Sequence, residues 1–125
     1  MGERTISVLA VDDEPKALDM YAHALTQAAY RCIKSTSGHE ALDRLAGDSV
    51  DVVVSDLSMP GMSGLEFIRR VRERDPDLPI LVVTGAPAVG SAIESIDAGV
   101  FRYLTKPYHP AAVTDAVRQL LKTEE

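Results

Sequence analysis

The stretch Val52–Gly61 (VVVSDLSMPG) places one aspartate, Asp56, between a run of valines and a turn. Three consecutive β-branched residues predict a buried strand, because the run is too short and too branched for a helix. Pro60 and Gly61 are turn residues, so Asp56 is expected where this strand passes into a loop. In an open parallel sheet, ligands bind at that end of the strands. A structural alternative is that Asp56 only caps the following turn.

Strand and helix patterns alternate five times along the chain. The predicted strands cover residues 6–11, 30–35, 50–55, 80–83 and 100–104, and apolar residues at helical spacing follow each of them. The fourth of these helices is expected over about 88–98. Such alternation predicts an α/β domain whose parallel sheet is covered by helices on both faces. The strands of a parallel sheet all point the same way, so their carboxyl ends share one edge.

Charged or hydroxyl residues follow four of the predicted strands at that edge: Asp12, Asp13, Asp56, Thr84 and Lys106. Three neighbouring carboxylates repel one another, and Mg²⁺ relieves the repulsion because it prefers carboxylate, carbonyl and water ligands. Lys106 would add a compact positive charge, and the Thr84 hydroxyl would add a donor. Such a set can hold a phosphoryl group beside a carboxylate that attacks phosphorus and forms an acyl phosphate. An ordinary ion pair between Lys106 and one aspartate would explain the presence of any single residue of this set. The occurrence of the whole set at one edge favours phosphoryl chemistry.

The composition narrows the class of protein. The 125 residues fit one domain, and a hydrophobic content of 46% is enough for a core. The net charge of −6 argues against non-specific nucleic-acid binding by this chain, though not by a partner domain. Neither a membrane span nor a signal peptide is predicted. The single cysteine, Cys32, cannot form an internal disulfide, so we expect a cytoplasmic setting and a packing role for Cys32.

Taken together, these motifs resemble the receiver domain of two-component response regulators. The resemblance rests on Asp12-Asp13, on Asp56-Leu57-Ser58-Met59-Pro60-Gly61-Met62-Ser63-Gly64, on Thr84-Gly85 and on Lys106-Pro107. It extends from Ile6 to Leu121, so we expect residues 1–125 to form a single receiver domain with its core at about 6–121. The resemblance implies a doubly wound, flavodoxin-like (βα)5 domain whose five-stranded parallel sheet has the order 2-1-3-4-5.

The resemblance also implies a phosphoacceptor and a metal site. Asp56 would accept a phosphoryl group from the phosphohistidine of a sensor histidine kinase or of a phosphotransfer protein. Asp13 and Asp56 would bind Mg²⁺ directly, together with the backbone carbonyl of Ser58, and Asp12 would act through water. Such a domain is a signalling module that catalyses only its own phosphorylation and a slow autodephosphorylation.

A switch is implied as well. Lys106 would pair with the phosphoryl group, Thr84 would move to hydrogen-bond it, and Tyr103 matches the switch aromatic that rotates with Thr84. The face formed by the predicted fourth helix, the fifth strand and the last helix would then bind an output domain or a second copy of the chain. Direct contact with nucleic acid or with a membrane is not expected.

Three other functions fit these residues less well. Phosphatases of the haloacid-dehalogenase type also use a strand-end aspartate, but they need a second acidic residue two positions later as general acid, and Ser58 stands there. A nucleotide-binding domain would show a glycine-rich phosphate loop after a strand, and no such loop follows any of the predicted strands. A pseudo-receiver that serves only as an interaction module is expected to lack Asp13, Asp56 or Lys106, and all three are present.

Overall fold

The computed structural model describes residues 5–57, 59–84, 102–105 and 110–123, and strands alternate with helices over the described residues up to 84. The elements are β1 (Ser7–Val11), α1 (Pro15–Gln27), β2 (Arg31–Ser35), α2 (Gly38–Gly47), β3 (Val52–Ser55), α3 (Gly64–Arg74), β4 (Ile80–Thr84), β5 (Arg102–Thr105) and a last helix (Pro110–Thr123). The helix predicted over about 88–98 lies outside the described residues. Among the helices in the described ranges, none is long and apolar enough to cross a membrane.

The strands form one sheet in the order β2-β1-β3-β4-β5, and every neighbouring pair is parallel. This confirms the predicted flavodoxin-like α/β fold and its strand order. β1 lies between β2 and β3, and its last residue, Val11, pairs with Ser35 on one side and with Ser55 on the other. The register therefore brings the carboxyl ends of β1 and β3 side by side, which makes Asp12 and Asp56 neighbours.

Two hydrophobic cores lie on opposite faces of the sheet. Val8 and Val54 belong to the core beneath α1 and the last helix, whereas Leu9 and Val53 belong to the core beneath α2 and α3. Successive strand residues point to opposite faces. Since helices cover both faces, β1 and β3 must be apolar at nearly every position, which explains the unbroken valine run.

Two of the helices begin at serines that act as N-caps. Ser37 Oγ accepts a hydrogen bond from the Glu40 N–H at 3.1 Å, and Ser63 Oγ accepts one from the Glu66 N–H at 3.2 Å. Each bond satisfies one of the backbone donors that a helix leaves unpaired in its first turn. These caps fix the first residues of α2 and α3, at Gly38 and Gly64. They therefore also fix where the loop after β2 and the loop after β3 end.

Three strands begin later than the sequence pattern predicts. β1 starts at Ser7, one residue after the predicted start at Ile6. β2 starts at Arg31, because the Tyr30 N–H donates to the Leu25 carbonyl and still belongs to the end of α1. β3 starts at Val52, because the preceding residue, Asp51, is bonded to Ser7: the Asp51 N–H donates to the Ser7 carbonyl, and Asp51 Oδ2 accepts from the Ser7 N–H.

Candidate functional site

Three carboxylates meet where β1 and β3 end. Asp12 and Asp13 follow β1, Asp56 follows β3, and one oxygen from each lies within 4.8 Å of the others. Asp12 is fully buried and Asp56 is 6% exposed, whereas Asp13 is exposed to solvent. The structure thus brings together three of the residues singled out from the sequence, and Asp13 is the exposed member of this cluster.

Backbone contacts set the position of Asp56. Its N–H donates to the Val11 carbonyl at 3.1 Å, and its carbonyl accepts from Ser55 Oγ at 2.9 Å. Gly64, the first residue of α3, returns to this point, and its N–H donates to the Leu57 carbonyl at 3.0 Å. A Cβ at position 64 would overlap the Asp56 carbonyl oxygen and Leu57 Cα, so only glycine allows this close approach. Asp56 is therefore held by β1 and by the start of α3.

The loop between β3 and α3 is anchored by two methionines. Met59 and Met62 are 8% and 7% exposed and belong to the core beneath α2 and α3. Between them Gly61 adopts a φ of +78°, a left-handed conformation that glycine reaches without steric cost. The turn predicted at Pro60 and Gly61 is confirmed. Its anchored ends keep the loop beside the acidic cluster.

Asp12 is held by contacts with three parts of the chain. Its N–H donates to the Ser35 carbonyl at 3.1 Å, and its Oδ1 accepts from the Glu14 N–H at 3.0 Å. Its Oδ2 accepts from the hydroxyl of Tyr21 at 3.4 Å. The sequence pattern does not predict the contact with Tyr21: its helical spacing with Leu18 and Leu25 indicates only that Tyr21 faces the core. A signal for it does exist: a tyrosine among buried aliphatic positions needs a partner for its hydroxyl.

The carboxylates fit a divalent cation. Mg²⁺ takes oxygen ligands at about 2.0–2.1 Å in octahedral geometry and keeps several waters, so ligands on opposite sides of the ion are about 4 Å apart. Carboxylate oxygens within 4.8 Å of one another are close to that span. A water molecule can bridge the ion and a carboxylate that is too distant to bind it directly. Buried carboxylates also favour a nearby positive charge, since their own burial is costly. The cluster of Asp12, Asp13 and Asp56 could therefore hold a metal ion.

The remaining predicted site residues are placed only in part. Ser58 and Lys106 lie outside the described residues. Thr84 is the last residue of β4, and Tyr103 pairs with Val82 within β5, but the side chains of Thr84 and Tyr103 are not in the described part of the structure. The proposed roles of these four residues in phosphoryl binding and switching remain predictions.

Cys32 behaves as a packing residue. It is partly buried in β2 and packs against the core beneath α1. Burial raises the pKa of the Cys32 thiol to about 11, although Lys34 opposes the shift. The thiol is therefore protonated near neutral pH, and a protonated thiol is a poor nucleophile.

Comparison with known proteins links this site to a family. The family model of the response regulator receiver domain matches residues 8–118. The response regulator MprA of Mycolicibacterium vanbaalenii is 36% identical over 117 residues, which are 94% of this chain and 51% of MprA. The DNA-binding transcriptional regulator NtrC of Klebsiella pneumoniae is 37% identical over 98 residues, or 78% of this chain and 21% of NtrC. The chain thus spans about half or less of these curated relatives.

Solved structures give the same assignment. The chemotaxis protein CheY4 of Vibrio cholerae superposes with a TM-score of 0.89 at 31% identity, covering 94% of this chain and 99% of that one. A CheY-like receiver domain protein from Methanospirillum hungatei gives a TM-score of 0.92 at 23% identity, covering 97% and 98% of the two chains, and this shows the shared fold. The match along nearly the whole chain and the acidic cluster at the ends of β1 and β3 lead to one conclusion. This chain belongs to the family of response regulator receiver domains, which are signalling domains.

Proposed function

We propose that Asp56 accepts a phosphoryl group from a sensor histidine kinase or a phosphotransfer protein in a Mg²⁺-dependent reaction. The observation that carries this proposal is the position of Asp56: it ends a buried strand, is 6% exposed, and has its carboxylate beside those of Asp12 and Asp13. Receiver domains as a family interact with histidine kinases and with output domains. The whole protein's partners are part of the proposal, because the chain covers only part of its relatives.

The proposed step is a nucleophilic displacement at phosphorus. An oxygen of Asp56 attacks the phosphorus of a phosphohistidine, so that a P–O bond forms while the P–N bond breaks. The imidazole leaves with the electron pair of the broken bond and takes up a proton. The product is an acyl phosphate on Asp56. Because an ionised carboxylate and a phosphoryl group repel each other, the step requires positive charge at the site.

The chain's own residues would supply that environment. Asp13 and Asp56 are proposed as direct Mg²⁺ ligands with the Ser58 backbone carbonyl, and Asp12 is proposed to act through water. When bound, Mg²⁺ would offset the charge of the carboxylates and of the incoming phosphoryl oxygens. The Lys106 ammonium is proposed to pair with those oxygens.

The output is proposed to run through a switch formed by Thr84 and Tyr103, in the two strands that follow β3 in the sheet. The Thr84 hydroxyl would move to the phosphoryl oxygens, and Tyr103 would turn inward into the space that this movement leaves. The alternative is that Tyr103 only covers the edge of the core in one rotamer. The face made by residues 88–98, β5 and the last helix would then bind an output domain or a second copy of the chain.

The setting follows from the same proposal. Residues 1–125 would act as one receiver domain in the cytoplasm, where kinases are available, without direct contact to nucleic acid or membrane. The net charge of −6 and the single cysteine support this setting. The domain would catalyse only its own phosphorylation and its slow autodephosphorylation.

Intact-mass measurement after incubation with acetyl phosphate and Mg²⁺ tests the central step. We expect one added phosphate that hydroxylamine removes, since an acyl phosphate is labile to this nucleophile. Asp56→Asn should abolish the addition, because an amide oxygen does not displace phosphorus as a carboxylate does. Asp43→Asn is the matched control: it removes an exposed carboxylate of α2 that is not part of the acidic cluster, and it should be labelled like the wild type.

Two outcomes would contradict the proposal. One is stoichiometric labelling of Asp56→Asn at a different residue, which would move the phosphoacceptor elsewhere. The other is equal labelling of the wild type with and without a chelator, which would remove the metal from the reaction.

A further inference from the structure

The hydroxyl of Tyr21 is a polar group placed inside an apolar core. Tyr21 is 2% exposed and packs with Leu18 and Leu25 in the core beneath α1. Burying a hydroxyl in such surroundings is unfavourable unless it is hydrogen-bonded. The hydroxyl donates to Asp12 Oδ2 at 3.4 Å. A phenylalanine would fill the same core volume without this requirement, so the hydroxyl calls for an explanation beyond packing.

The bond from Tyr21 fixes one side of the Asp12 carboxylate. The Glu14 N–H, at the start of α1, donates to the other oxygen, Oδ1, at 3.0 Å. The two donors come from positions two turns apart on the same chain segment, and they engage different oxygens of one carboxylate. A carboxylate with both oxygens bonded in this way is hindered from rotating about its terminal torsion. Asp12 is fully buried, so water cannot take over either donor's place at low cost.

We propose that Tyr21 is a positioning residue for the metal site: its hydroxyl orients the Asp12 carboxylate toward Asp13 and Asp56. This inference rests on the proposed Mg²⁺-dependent function. In the orientation that Asp12 adopts, one of its carboxylate oxygens lies within 4.8 Å of an oxygen of Asp13 and of Asp56. Groups that orient the direct ligands of a metal ion commonly change its affinity by about 10–100-fold when they are removed. Because Asp12 is proposed to act through water and the O···O distance is long, at 3.4 Å, we expect an effect at the lower end of that range.

Tyr21→Phe separates positioning from packing, because it removes the hydroxyl and keeps the ring. Tyr30→Phe is the matched control: Tyr30 also packs against the core beneath α1, but it precedes β2 and so lies at the opposite edge of the sheet from the acidic cluster. Asp13→Ala serves as the reference for loss of a proposed ligand.

The first measurement is the Mg²⁺ dissociation constant, obtained by titration of the amide resonances of residues 12–14 and 56. We expect it to rise about tenfold in Tyr21→Phe, to stay within about twofold of the wild type in Tyr30→Phe, and to rise further in Asp13→Ala. Urea midpoints measured with a chelator show whether Tyr21→Phe is folded. A purely structural role would change this midpoint and leave the dissociation constant as it is in the Tyr30→Phe control.

The second measurement is near-ultraviolet spectroscopy, which reports on the tyrosines whether or not a variant loses stability. The chain has four tyrosines and no tryptophan, so its near-ultraviolet spectrum is dominated by phenol groups. Addition of Mg²⁺ to the wild type should perturb a tyrosine band. A cation beside Asp12 draws electron density from its carboxylate, and this weakens the hydrogen bond that the carboxylate accepts from the Tyr21 hydroxyl. The perturbation should persist in Tyr30→Phe and disappear in Tyr21→Phe.

The outcomes distinguish this inference from the function it rests on. If the wild type binds Mg²⁺ and Asp13→Ala does not, but Tyr21→Phe binds like the wild type, the positioning role is wrong and the metal site stands. If Mg²⁺ leaves the tyrosine spectrum of the wild type unchanged, the positioning role is likewise wrong. If the wild type moves no resonance near Asp12, Asp13 or Asp56 on titration, the proposed metal site fails, and the role of Tyr21 fails with it.

Discussion

At the scale of single residues, the position of the proposed phosphoacceptor depends on a glycine eight residues later in the chain. Gly64 lies against the backbone of Asp56 and Leu57, where a Cβ would overlap both residues. Its N–H also donates to the Leu57 carbonyl, which ties the start of α3 to the end of β3. The atoms that a side chain would meet are backbone atoms, which cannot turn aside as a flexible side chain can. Gly64 therefore controls where Asp56 lies.

We predict that Gly64→Ala destabilises the domain by about 2–4 kcal/mol, because either α3 or the loop after β3 must shift. Gly47→Ala is the matched control, since Gly47 ends α2 where an added Cβ would meet no atom within 4 Å, and alanine favours the helix. This control should be neutral or stabilising by up to about 1 kcal/mol. Urea unfolding measures both free energies. Equal stability of the two variants would show that the backbone around Asp56 can shift to accept a Cβ at little cost in free energy.

At the scale of elements, α1 ends in a motif that normally uses glycine. The Ala29 N–H donates to the Thr26 carbonyl and the Tyr30 N–H to the Leu25 carbonyl, both at 3.0 Å, which is the hydrogen-bond pattern of a Schellman motif. Ala29 occupies its left-handed position with a φ of 68°. For a residue with a Cβ this conformation costs roughly 1–2 kcal/mol. The helix therefore ends correctly but with some strain at Ala29.

Replacing Ala29 by glycine should relieve that strain. Part of the gain is offset because glycine has more freedom in the unfolded chain, so we expect a net stabilisation of about 0.5–1 kcal/mol. Ala24→Gly, the same change inside α1, should instead cost about 1 kcal/mol. Thermal and urea unfolding of the two variants provide the comparison. A loss of stability in Ala29→Gly similar to that in Ala24→Gly would mean that the left-handed turn carries no strain.

At the scale of the whole molecule, a change at the acidic cluster would have to cross a closely packed sheet to reach the proposed partner surface. The last helix is held by four side chains in the core beneath α1, namely Val113, Ala116, Val117 and Leu120. Phosphorylation would add about 1.5–2 negative charges at one edge of the sheet. Because packed cores do not deform continuously, such a charge acts at a distance only through an element with two arrangements.

We therefore predict that beryllofluoride, a mimic of the phosphoryl group, shifts amide resonances along two parts of the chain. One is the acidic cluster, and the other is the face made by residues 88–98, Tyr103 and the last helix. Couplings of this kind are commonly about 1–3 kcal/mol, so the free domain should already visit the active arrangement to a minor extent. The internal reference is the far end of α2 around Arg44 and Asp48, where shifts should stay small.

Asp56→Asn is the chemical control for this measurement, since beryllofluoride should then leave the spectrum unchanged. Shifts in the wild type that stop at Asp12, Asp13, Asp56 and their neighbours would show that this receiver does not signal through the face formed by the last helix and β5. That result would leave phosphorylation of Asp56 itself unaffected.

The order and type of the described elements, and the aspartates at the ends of β1 and β3, could be predicted from local sequence patterns. The valine run before Asp56, the Ser37 and Ser63 caps and the Pro60–Gly61 turn are all local signals, and each is seen in the structure. Such signals are readable because strand alternation, helix caps and turns depend on residues only a few positions apart. The strand order was available only through the resemblance to a known family.

Which side chains from different elements contact one another could not be predicted from these patterns. In the sequence, Leu65 lies at helical spacing with Ile68 and Val71, which predicts a buried side chain, yet in the structure Phe67 is fully buried and Leu65 is only half-buried. The bond from Tyr21 to Asp12 and the approach of Gly64 to Asp56 likewise follow from how helices settle on the sheet. These contacts join residues from different elements, so their geometry depends on the packing of the whole domain and on no short-range pattern.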